Sequence, residues 1–171
     1  MSEVTATPDQ DVAPILLSVV GAVATATLNR PRTHNAINLA SWHALHGAAA
    51  SIAANPAVRV AVLTGVGDVA FSAGADISEF TERRLTVERA SAYGDVMEAA
   101  IQAWERLPVP VIAAIRGFCL GAGLELALTA DLRIAADVAT FGIPATRRGF
   151  GIGVDDARRL AAVVGPARAR S

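Results

Sequence analysis

Short runs of apolar and β-branched residues, each bounded by Gly, Pro or polar residues, recur along the chain and predict β-strands. The first run, residues 15–29, contains Gly21-Ala22 near its middle and predicts a two-stranded hairpin. Four later runs each predict one strand: "VRVAVLTG", "VIAAIRG", "DLRIAAD" and "TFGI". The first of these is almost continuously apolar, so we expect it to be buried on both faces, and we expect the second to be a buried strand as well.

Apolar residues at helical spacing predict four helices between and after these strands. The first follows Asn38, which we expect to act as its N-cap. Its apolar stripe contains Trp42, Leu45, Ala49 and Ile52. A longer helix is predicted over about Val87–Leu107, where the prolines of "PVP" end it. A short apolar helix is predicted within "FCLGAGLELALTA", and the last helix over "DDARRLAAVVG".

The predicted order of these elements, β–β–α–β–α–β–α–β–β–α, is typical of an α/β domain. A chain of 171 residues is long enough for one domain with a substantial core, or it is a piece of a larger protein. The polar N-terminus shows no secretory signal. We expect residues 1–13 to form a flexible lead and residues 14–171 to form the core.

Composition and charge exclude several classes of function. Hydrophobic residues make up 53% of the chain and aromatic residues only 5%, so the core must be largely aliphatic. All 15 basic residues are Arg, and the absence of Lys excludes a P-loop NTPase and Schiff-base catalysis. The net charge is −1 and no basic run exceeds two residues, which argues against a nucleic-acid partner.

Cysteine usage and hydropathy indicate where the protein works. Cys119 is the only cysteine, which excludes an internal disulfide and favours a reducing compartment. Two long stretches without formal charge, residues 12–29 and 33–58, contain helix breakers or several polar residues and do not predict membrane spans. We therefore expect a soluble, cytoplasmic protein without a membrane partner.

Two loops of small residues, "FSAGAD" and "GFCLGAGLE", each follow a predicted buried strand and open a helix. Amide groups in the first turn of a helix lack an acceptor within that helix and attract negative charge. If one N–H from each loop points at the same spot, the two form an oxyanion hole for a developing enolate or tetrahedral oxyanion. Glycines that merely let strands and helices pack closely would give the same pattern.

Glu125 is the first candidate for acid–base chemistry. It lies among Leu124, Leu126 and Leu128, an apolar setting that favours a raised carboxyl pKa. It follows Ala122 by three residues, so both lie on the same face of the predicted helix. A structural alternative is that Glu125 is a buried partner of Arg116 or Arg133.

Three segments, "LNRPRTHNAIN", "VAVLTGVGDVAFSAGADISEF" and "PVPVIAAIRGFCLGAGLELALTADLRIAADVATFGIP", resemble the crotonase superfamily, also called the enoyl-CoA hydratase/isomerase family. The resemblance extends from about Ile15 to Gly165. It implies a spiral of ββα units, a homotrimer or a hexamer made of two trimers, and an acyl-CoA or enoyl-CoA thioester as ligand. It implies no cofactor apart from the coenzyme A of the substrate.

The resemblance also assigns roles to particular residues. The N–H groups of Ala75 and Ala122 would be the oxyanion donors, and Glu125 would match the first of two catalytic glutamates. The residues expected to bind the thioester and pantetheine are Ala73, Ala75, Asp76, Ile77, Ser78 and Ala122. The residues expected near the nucleotide are Arg32, His34 and Ala36, with Arg32 the first candidate for the phosphates, since Arg matches phosphate geometry.

The sequence departs from the family in its second carboxylate. The family's second glutamate follows the proline of "FGxPE", and here that position is Ala145 in "FGIPAT". Asp155, further along, is a candidate to replace the lost acid or base. Alternatively it is only an acidic residue at the N-cap of the last helix, where such residues are common. His43 and His46 have no evident third ligand, so no metal site is expected.

The sequence also ends earlier than the family pattern, without its usual C-terminal helices. A shortened family member, a fragment and the product of a disrupted gene are all consistent with this.

Three functions follow as hypotheses. The first is a hydratase or isomerase acting on acyl-CoA thioesters in fatty acid metabolism. The second is another crotonase reaction, such as thioester hydrolysis, decarboxylation or C–C cleavage. The third is a non-catalytic acyl-CoA-binding remnant.

Overall fold

The structure is a computed structural model that describes residues 13–80, 86–144 and 151–170. The expected flexible lead, apart from residue 13, lies outside these residues, as does Ala145. Within the described part of the chain, no helix is both long and apolar enough to cross a membrane.

The larger of two sheets has five strands and contains the predicted hairpin. Its strands are β1 (Ile15–Val20), β2 (Val23–Leu28), β3 (Val60–Gly65), β5 (Val111–Ile115) and β7 (Leu132–Ala135), in the spatial order β1-β2-β3-β5-β7. Only β1 and β2 pair antiparallel, and Gly21 makes their turn with a φ of 59°. The other pairs are parallel.

A smaller sheet of three parallel strands lies beside the first one. Its strands are β4 (Ala70–Ser72), β6 (Phe118–Leu120) and β8 (Thr140–Gly142), in the order β4-β6-β8. Strands β4 and β6 were not predicted, because each has only three residues and lies inside a glycine-rich loop. From β3 onward the chain places one strand in the large sheet and the next in the small sheet, as expected for a spiral of ββα units.

Five α-helices are described: α1 (Leu39–Ala53), α2 (Val87–Glu105), α3 (Ala122–Leu128), α4 (Val154–Val164) and α5 (Pro166–Ala169). Asn38 is the N-cap of α1, as predicted, and its side chain accepts a hydrogen bond of 2.8 Å from the Ser41 amide. The last helix, α5, was not predicted. It begins with Pro166, a residue favoured in the first turn of a helix.

The core lies where α1 and α2 cover one face of the large sheet. The predicted stripe of α1 is buried there, and Trp104 of α2 donates a hydrogen bond of 3.0 Å to the carbonyl of Leu45. The expectation that β3 is buried on both faces is wrong. Ala61 and Leu63 are fully buried, but the alternating residues of the same strand are only half-buried, because the helices cover one side.

Candidate functional site

The two small-residue loops lie against each other at the ends of β4 and β6. These strands pair in parallel, so the loops leave the sheet at the same edge. A Cβ atom added to Gly74 would lie 3.0 Å from the carbonyl oxygen of Leu120 and 3.7 Å from the amide nitrogen of Ala122. Gly74 also has a φ of +101°, a conformation that L side chains rarely adopt. Only glycine therefore permits this close approach without strain.

The first loop is held along one side by the segment 34–37. Ala73 donates to the His34 carbonyl at 2.9 Å, and Asp76 donates to the Ile37 carbonyl at 2.9 Å. The carbonyl of Gly74, between them, accepts from the Ile37 amide at 2.8 Å. This pairing uses the amides on either side of Ala75. Among the described residues, the Ala75 N–H has no recorded acceptor.

The second loop ends in the first residue of α3. Gly121 donates to the Gly142 carbonyl at 2.8 Å, and Glu125 closes the first helical hydrogen bond onto Gly121 at 3.0 Å. The Ala122 amide precedes that bond and, within the described ranges, also has no recorded acceptor. Each loop thus leaves one backbone donor without a recorded acceptor in the described ranges, and these are the two amides that the family resemblance assigns as donors.

Both donors belong to residues that line one cleft of about 620 Å³. The described residues that line it are Thr33, Ala36, Ala73, Gly74, Ala75, Asp76, Ile77, Phe80, Met97, Leu120, Gly121, Ala122, Glu125, Ile143, Pro144, Gly151, Ile152, Gly153 and Asp156. Most of the predicted site residues are therefore together. The exceptions are Arg32, His34, Ser78 and Asp155.

A buried hydrogen-bond network fixes the two loops and was not predicted. Ser72 donates to the Asn35 carbonyl at 2.8 Å and accepts from the Gly74 amide at 3.1 Å. The side-chain amide of Asn35 donates to the carbonyls of Ala70 at 2.7 Å and Val66 at 3.0 Å. Because buried polar groups such as Ser72 and Asn35 are costly to leave without hydrogen bonds, they restrict the loops to an arrangement that keeps all of these partners.

Close packing of α3 on β4 also positions the second donor. A Cβ atom on Gly123 would lie 2.5 Å from the Cβ of Ser72, which is closer than two such atoms can approach. Glycine at this position lets the start of α3, and with it the Ala122 amide, lie directly over the strand.

Of the residues predicted to contact the ligand, Asp76 has the side chain held by the most hydrogen bonds from the protein. Its carboxylate accepts hydrogen bonds from the Ser78 hydroxyl at 2.7 Å and the Ser78 amide at 3.1 Å, and it pairs with Arg30 at 2.8 Å. Burial alone raises the pKa of Asp76, but the bonds from Ser78 and Arg30 outweigh it, so the pKa lies below its ordinary value.

Arg30 was not predicted and joins both sides of the first loop. The same nitrogen that binds Asp76 donates to the Ala36 carbonyl at 2.7 Å. These contacts lie on either side of the bridge between Ile37 and Ala75. Part of the role of Asp76 is thus structural, because it fixes the loop that carries the first donor.

Arg32 and His34 are exposed and do not line the cleft. Arg32 lies in a 3-10 turn over Pro31–Thr33, and His34 follows with a φ of 53°. Of this turn and the residue that follows it, only Thr33 lines the cleft. The position leaves Arg32 available to a group that extends beyond the cleft, and its predicted phosphate contact stays a prediction.

Glu125 lines the cleft on the same face of α3 as Ala122, as the spacing predicts. It is half-buried between the buried residues Leu124 and Leu126. The alternative partners are engaged elsewhere. Arg116 binds the exposed Asp68 carboxylate at 3.0 Å, and Arg133 donates to backbone carbonyls around the end of α3.

The structure distinguishes the two acidic residues at the start of α4. Asp155 is 64% exposed, pairs with Arg158 at 3.5 Å and does not line the cleft. Asp156 does line it, and its side chain is only 13% exposed. Gly153 is the N-cap, so the alternative of an N-capping Asp155 is wrong, although both acids lie in the first turn.

Asp156 belongs to a cluster of charges that joins α4 to α2. Arg159, whose side chain is 5% exposed, binds Asp156 at 3.2 Å, Glu98 at 3.1 Å and Glu105 at 3.2 Å. Burial raises the pKa of Asp156, and the attraction of Arg159 reduces the effect without reversing it. Sequence reasoning missed this cluster because Arg159 and the two glutamates come from two helices and lie 54 to 61 positions apart in sequence.

No cluster of His, Cys, Asp and Glu that could hold a metal ion occurs among the residues in the three described ranges. Cys119 is buried, and burial raises the pKa of its thiol to about 12. A thiol in this state is a packing group and a poor nucleophile.

The sequence matches the family model for enoyl-CoA hydratase/isomerase over residues 19–171. The chain belongs to this family. It is 36% identical to a crotonyl-CoA hydratase from Syntrophomonas wolfei subsp. wolfei and 37% identical to a short-chain-enoyl-CoA hydratase from Clostridium acetobutylicum, over 156 residues in each case. Each alignment covers 91% of this chain and 59% of the relative, so the chain spans about three fifths of the length of these relatives.

Solved structures of the enoyl-CoA hydratase/isomerase family show the same fold. An enoyl-CoA hydratase/carnithine racemase from Magnetospirillum magneticum superposes with a TM-score of 0.90 at 42% identity, covering 93% of this chain and 60% of that one. An enoyl-CoA hydratase from Bacillus anthracis gives 0.86 at 35% identity, with 92% and 60% covered. The predicted crotonase-like fold is therefore confirmed.

Proposed function

We propose that this chain binds an acyl-CoA thioester in the cleft and stabilises its enolate with the amides of Ala75 and Ala122. The observation that carries the proposal is that both amides lack a recorded acceptor among the described residues and belong to residues lining one cleft. Donors that are already fixed do not have to reorganise as charge develops on the thioester oxygen. Each such donor contributes about 3 kcal/mol to the stability of a transition state.

Glu125 transfers the proton in this proposal. Its carboxylate lies one helical turn beyond Ala122 on the same cleft wall, so a thioester held by the amide places its acyl carbons near the carboxylate. A positioned acid or base contributes about 10²–10⁴ in rate. Coenzyme A enters as part of the substrate, and the reaction needs no other cofactor.

The reaction that we propose is the hydration of a short enoyl-CoA, a lyase-type reaction, with enoyl isomerisation as a related outcome. The relatives named above are called crotonyl-CoA hydratase and short-chain-enoyl-CoA hydratase. Ala145 occupies the position that resembles the family's second glutamate, so we expect hydration to be slower than in an enzyme with both glutamates. Thioester hydrolysis, decarboxylation and C–C cleavage need the same pair of amides and are the alternatives.

For the nucleotide end of coenzyme A, we propose that arginines replace the lysines that many proteins use, since the chain contains no Lys. Arg32 is the first candidate, because it is exposed in the turn next to Thr33 at the cleft. Its guanidinium offers a planar pair of donors to a phosphate.

Association into a trimer or hexamer, and action in the cytoplasm, are further proposals. Strands β6, β7 and β8 and the turn between β7 and β8 expose large apolar residues: Phe118, Leu132, Ile134, Val138 and Phe141. Exposed apolar groups of this kind favour association with other protein surfaces. Because the chain spans only part of the relatives, these proposals concern the chain as given.

The proposal is tested by titrating the protein with crotonyl-CoA and by following the loss of its conjugated-enoyl absorbance. We expect saturable binding, slow turnover, and loss of turnover without loss of binding in Glu125→Gln. Arg32→Ala is expected to weaken binding about tenfold, the effect of one charge-assisted hydrogen bond. Binding without turnover would favour the non-catalytic alternative, and the absence of binding would contradict the proposal.

A further inference from the structure

The cleft contains a second acidic side chain to which no role has yet been given. Asp156 lines the cleft from the first turn of α4, whereas Glu125 lines it from α3. A structural carboxylate in an ion pair has no need to border a cavity of this kind. Its position raises the question of whether it takes part in proton transfer.

The two oxygens of Asp156 have different surroundings. Oδ1 accepts a hydrogen bond of 3.2 Å from Arg159. Oδ2 has no recorded partner among the described residues and lies over Gly153, where an added Cβ atom would be 2.8 Å away. Gly153 also lines the cleft, so the unengaged oxygen is next to the cleft wall. One oxygen is thus held in place while the other is free to exchange a proton.

The surrounding charges favour the protonated form of Asp156. Arg159 is the one cation recorded within this cluster, and it is shared by three carboxylates, those of Asp156, Glu98 and Glu105. Glu98 and Glu105 are 35% and 37% exposed, whereas Asp156 is 13% exposed and is the least hydrated of the three. One guanidinium cannot neutralise three carboxylates, so the least hydrated one is the easiest to protonate.

We propose that Asp156 is the second proton-transferring carboxylate of the cleft and supplies the function that Ala145 lacks. The inference rests on the proposed function, because it needs a thioester in the cleft. Arg159 is then a positioning residue, and Glu98 and Glu105 hold Arg159 in place.

The two carboxyl groups divide the proton transfers of hydration between them. Glu125 accepts a proton from water while the water oxygen forms a bond to the β-carbon. The electron pair of the Cα=Cβ bond forms a double bond between the α-carbon and the carbonyl carbon. The C=O π pair moves onto the thioester oxygen, where the amides of Ala75 and Ala122 bind the negative charge. When the carbonyl re-forms, Asp156 donates its proton to the α-carbon. The proton on Glu125 then passes through solvent to Asp156, which restores both groups.

The pH profile of the rate follows from these roles. In the described structure, the charged groups that face Asp156 are Arg159, Glu98 and the adjacent residue Asp155. Glu105 faces the guanidinium of Arg159. Burial raises the pKa of Asp156. Because the donor must be protonated, turnover is expected to fall as the pH rises through that pKa.

The test compares Asp156→Asn with Asp155→Asn as the matched control. Asparagine at position 156 keeps an oxygen for Arg159 but cannot donate a carboxyl proton. We expect crotonyl-CoA turnover to fall about 10²-fold, with thioester affinity within about twofold of wild type and without the fall of rate at high pH. Asp155→Asn changes the neighbouring exposed acid and should leave rate and affinity unchanged. It should keep the fall of rate at high pH, moved slightly to lower pH because one of the charges that raise the pKa of Asp156 is removed.

A second variant covers the case in which Asp156→Asn does not fold. Gly153→Ala places a methyl group 2.8 Å from Oδ2, too close for the carboxylate to stay where it is, and the φ of −61° at Gly153 accommodates alanine. It should lower the rate by moving the carboxylate while the charge cluster remains. Turnover of either folded variant within threefold of Asp155→Asn would overturn the inference but leave the proposed function intact. Thioester binding by wild type without turnover would overturn the inference, and loss of binding itself would overturn the proposed function.

Discussion

The cleft has two walls that differ in how they are built. The wall formed by the two small-residue loops offers backbone amides, held by glycine contacts and by the buried Asn35 and Ser72. The wall formed by α4 offers a carboxylate, held by a charge cluster that extends to α2. Backbone donors depend on the local path of the chain, whereas a side-chain acid depends on charges brought together by tertiary packing. Substitutions in the two walls should therefore have different effects on binding, turnover and stability.

The largest effect is expected from removing the Glu125 carboxylate or adding a second glutamate. Glu125→Gln should reduce crotonyl-CoA hydration by about 10²–10⁴. Ala145→Glu should raise the rate in the presence of Glu125 and have no effect in its absence, because groups that act as one unit are strongly non-additive. The four rates are measured from the enoyl absorbance. A gain from Ala145→Glu that persists in the double variant would show that Glu125 is not part of the unit.

The charge cluster should dominate the stability of the α4 wall. Arg159→Met leaves three partly buried carboxylates without their cation, and we expect the free energy of unfolding to fall by about 3 kcal/mol. Arg158→Met removes only the exposed pair with Asp155 and should cost less than about 1 kcal/mol. Urea unfolding of both variants measures the difference. Equal losses would mean that the cluster does not join the two helices.

A single methyl group added to the loop wall should weaken thioester binding. Gly74→Ala puts a Cβ atom 3.7 Å from the Ala122 nitrogen and strains the backbone by about 1–2 kcal/mol. We expect thioester affinity to fall at least tenfold, an order of magnitude set by loss of one charge-assisted hydrogen bond. Gly21→Ala is the control, because it has a similar positive φ with no atom within 4 Å and lies in the hairpin. A comparable affinity loss in the control would assign the effect to stability alone.

The smallest effect concerns how the contribution of Asp76 in the loop wall to the free energy of unfolding depends on pH. The folded pKa of Asp76 lies below its ordinary value of 3.8, so its stabilisation is present above pH 3.8 and is lost as the pH falls through the folded pKa. Asp76→Asn should lower the free energy of unfolding by about 1.5 kcal/mol at pH 7, and the difference should shrink in acid. Asp68→Asn, in an exposed pair with Arg116, should show little effect at either pH. A difference for Asp76→Asn that persisted in strong acid would contradict this account.

The sequence predicts the two walls unequally, and the reason is physical. The loop wall is encoded locally, since a buried strand, small residues and a helix start occur in succession. This pattern indicates one donor amide in each loop and points to Glu125, and the resemblance to the family assigns the donor roles to Ala75 and Ala122. The fixing residues Arg30 and Asn35 were missed, because their contacts extend 31 to 46 positions along the chain.

The α4 wall shows the limit of a local argument. The sequence shows two adjacent aspartates at a helix start. It does not show which of them faces the cleft. That choice depends on Arg159 and on the glutamates of α2, which only the folded chain brings together. The strands β4 and β6 were missed because each is short and lies inside a loop of small residues, so its apolar pattern does not stand out from the loop.

The most direct test of the central claim removes one backbone donor while keeping the helix that carries it. Ala122 is the first residue of α3, a position where proline is tolerated because its amide has no helical acceptor. Val87→Pro makes the same exchange at the first residue of α2, an exposed position outside the lining of the cleft, and is the matched control. We predict that Ala122→Pro unfolds in urea like the control but loses about 10²–10³ in crotonyl-CoA turnover, the effect of one oxyanion donor. Turnover by a folded Ala122→Pro variant equal to that of Val87→Pro would contradict the account.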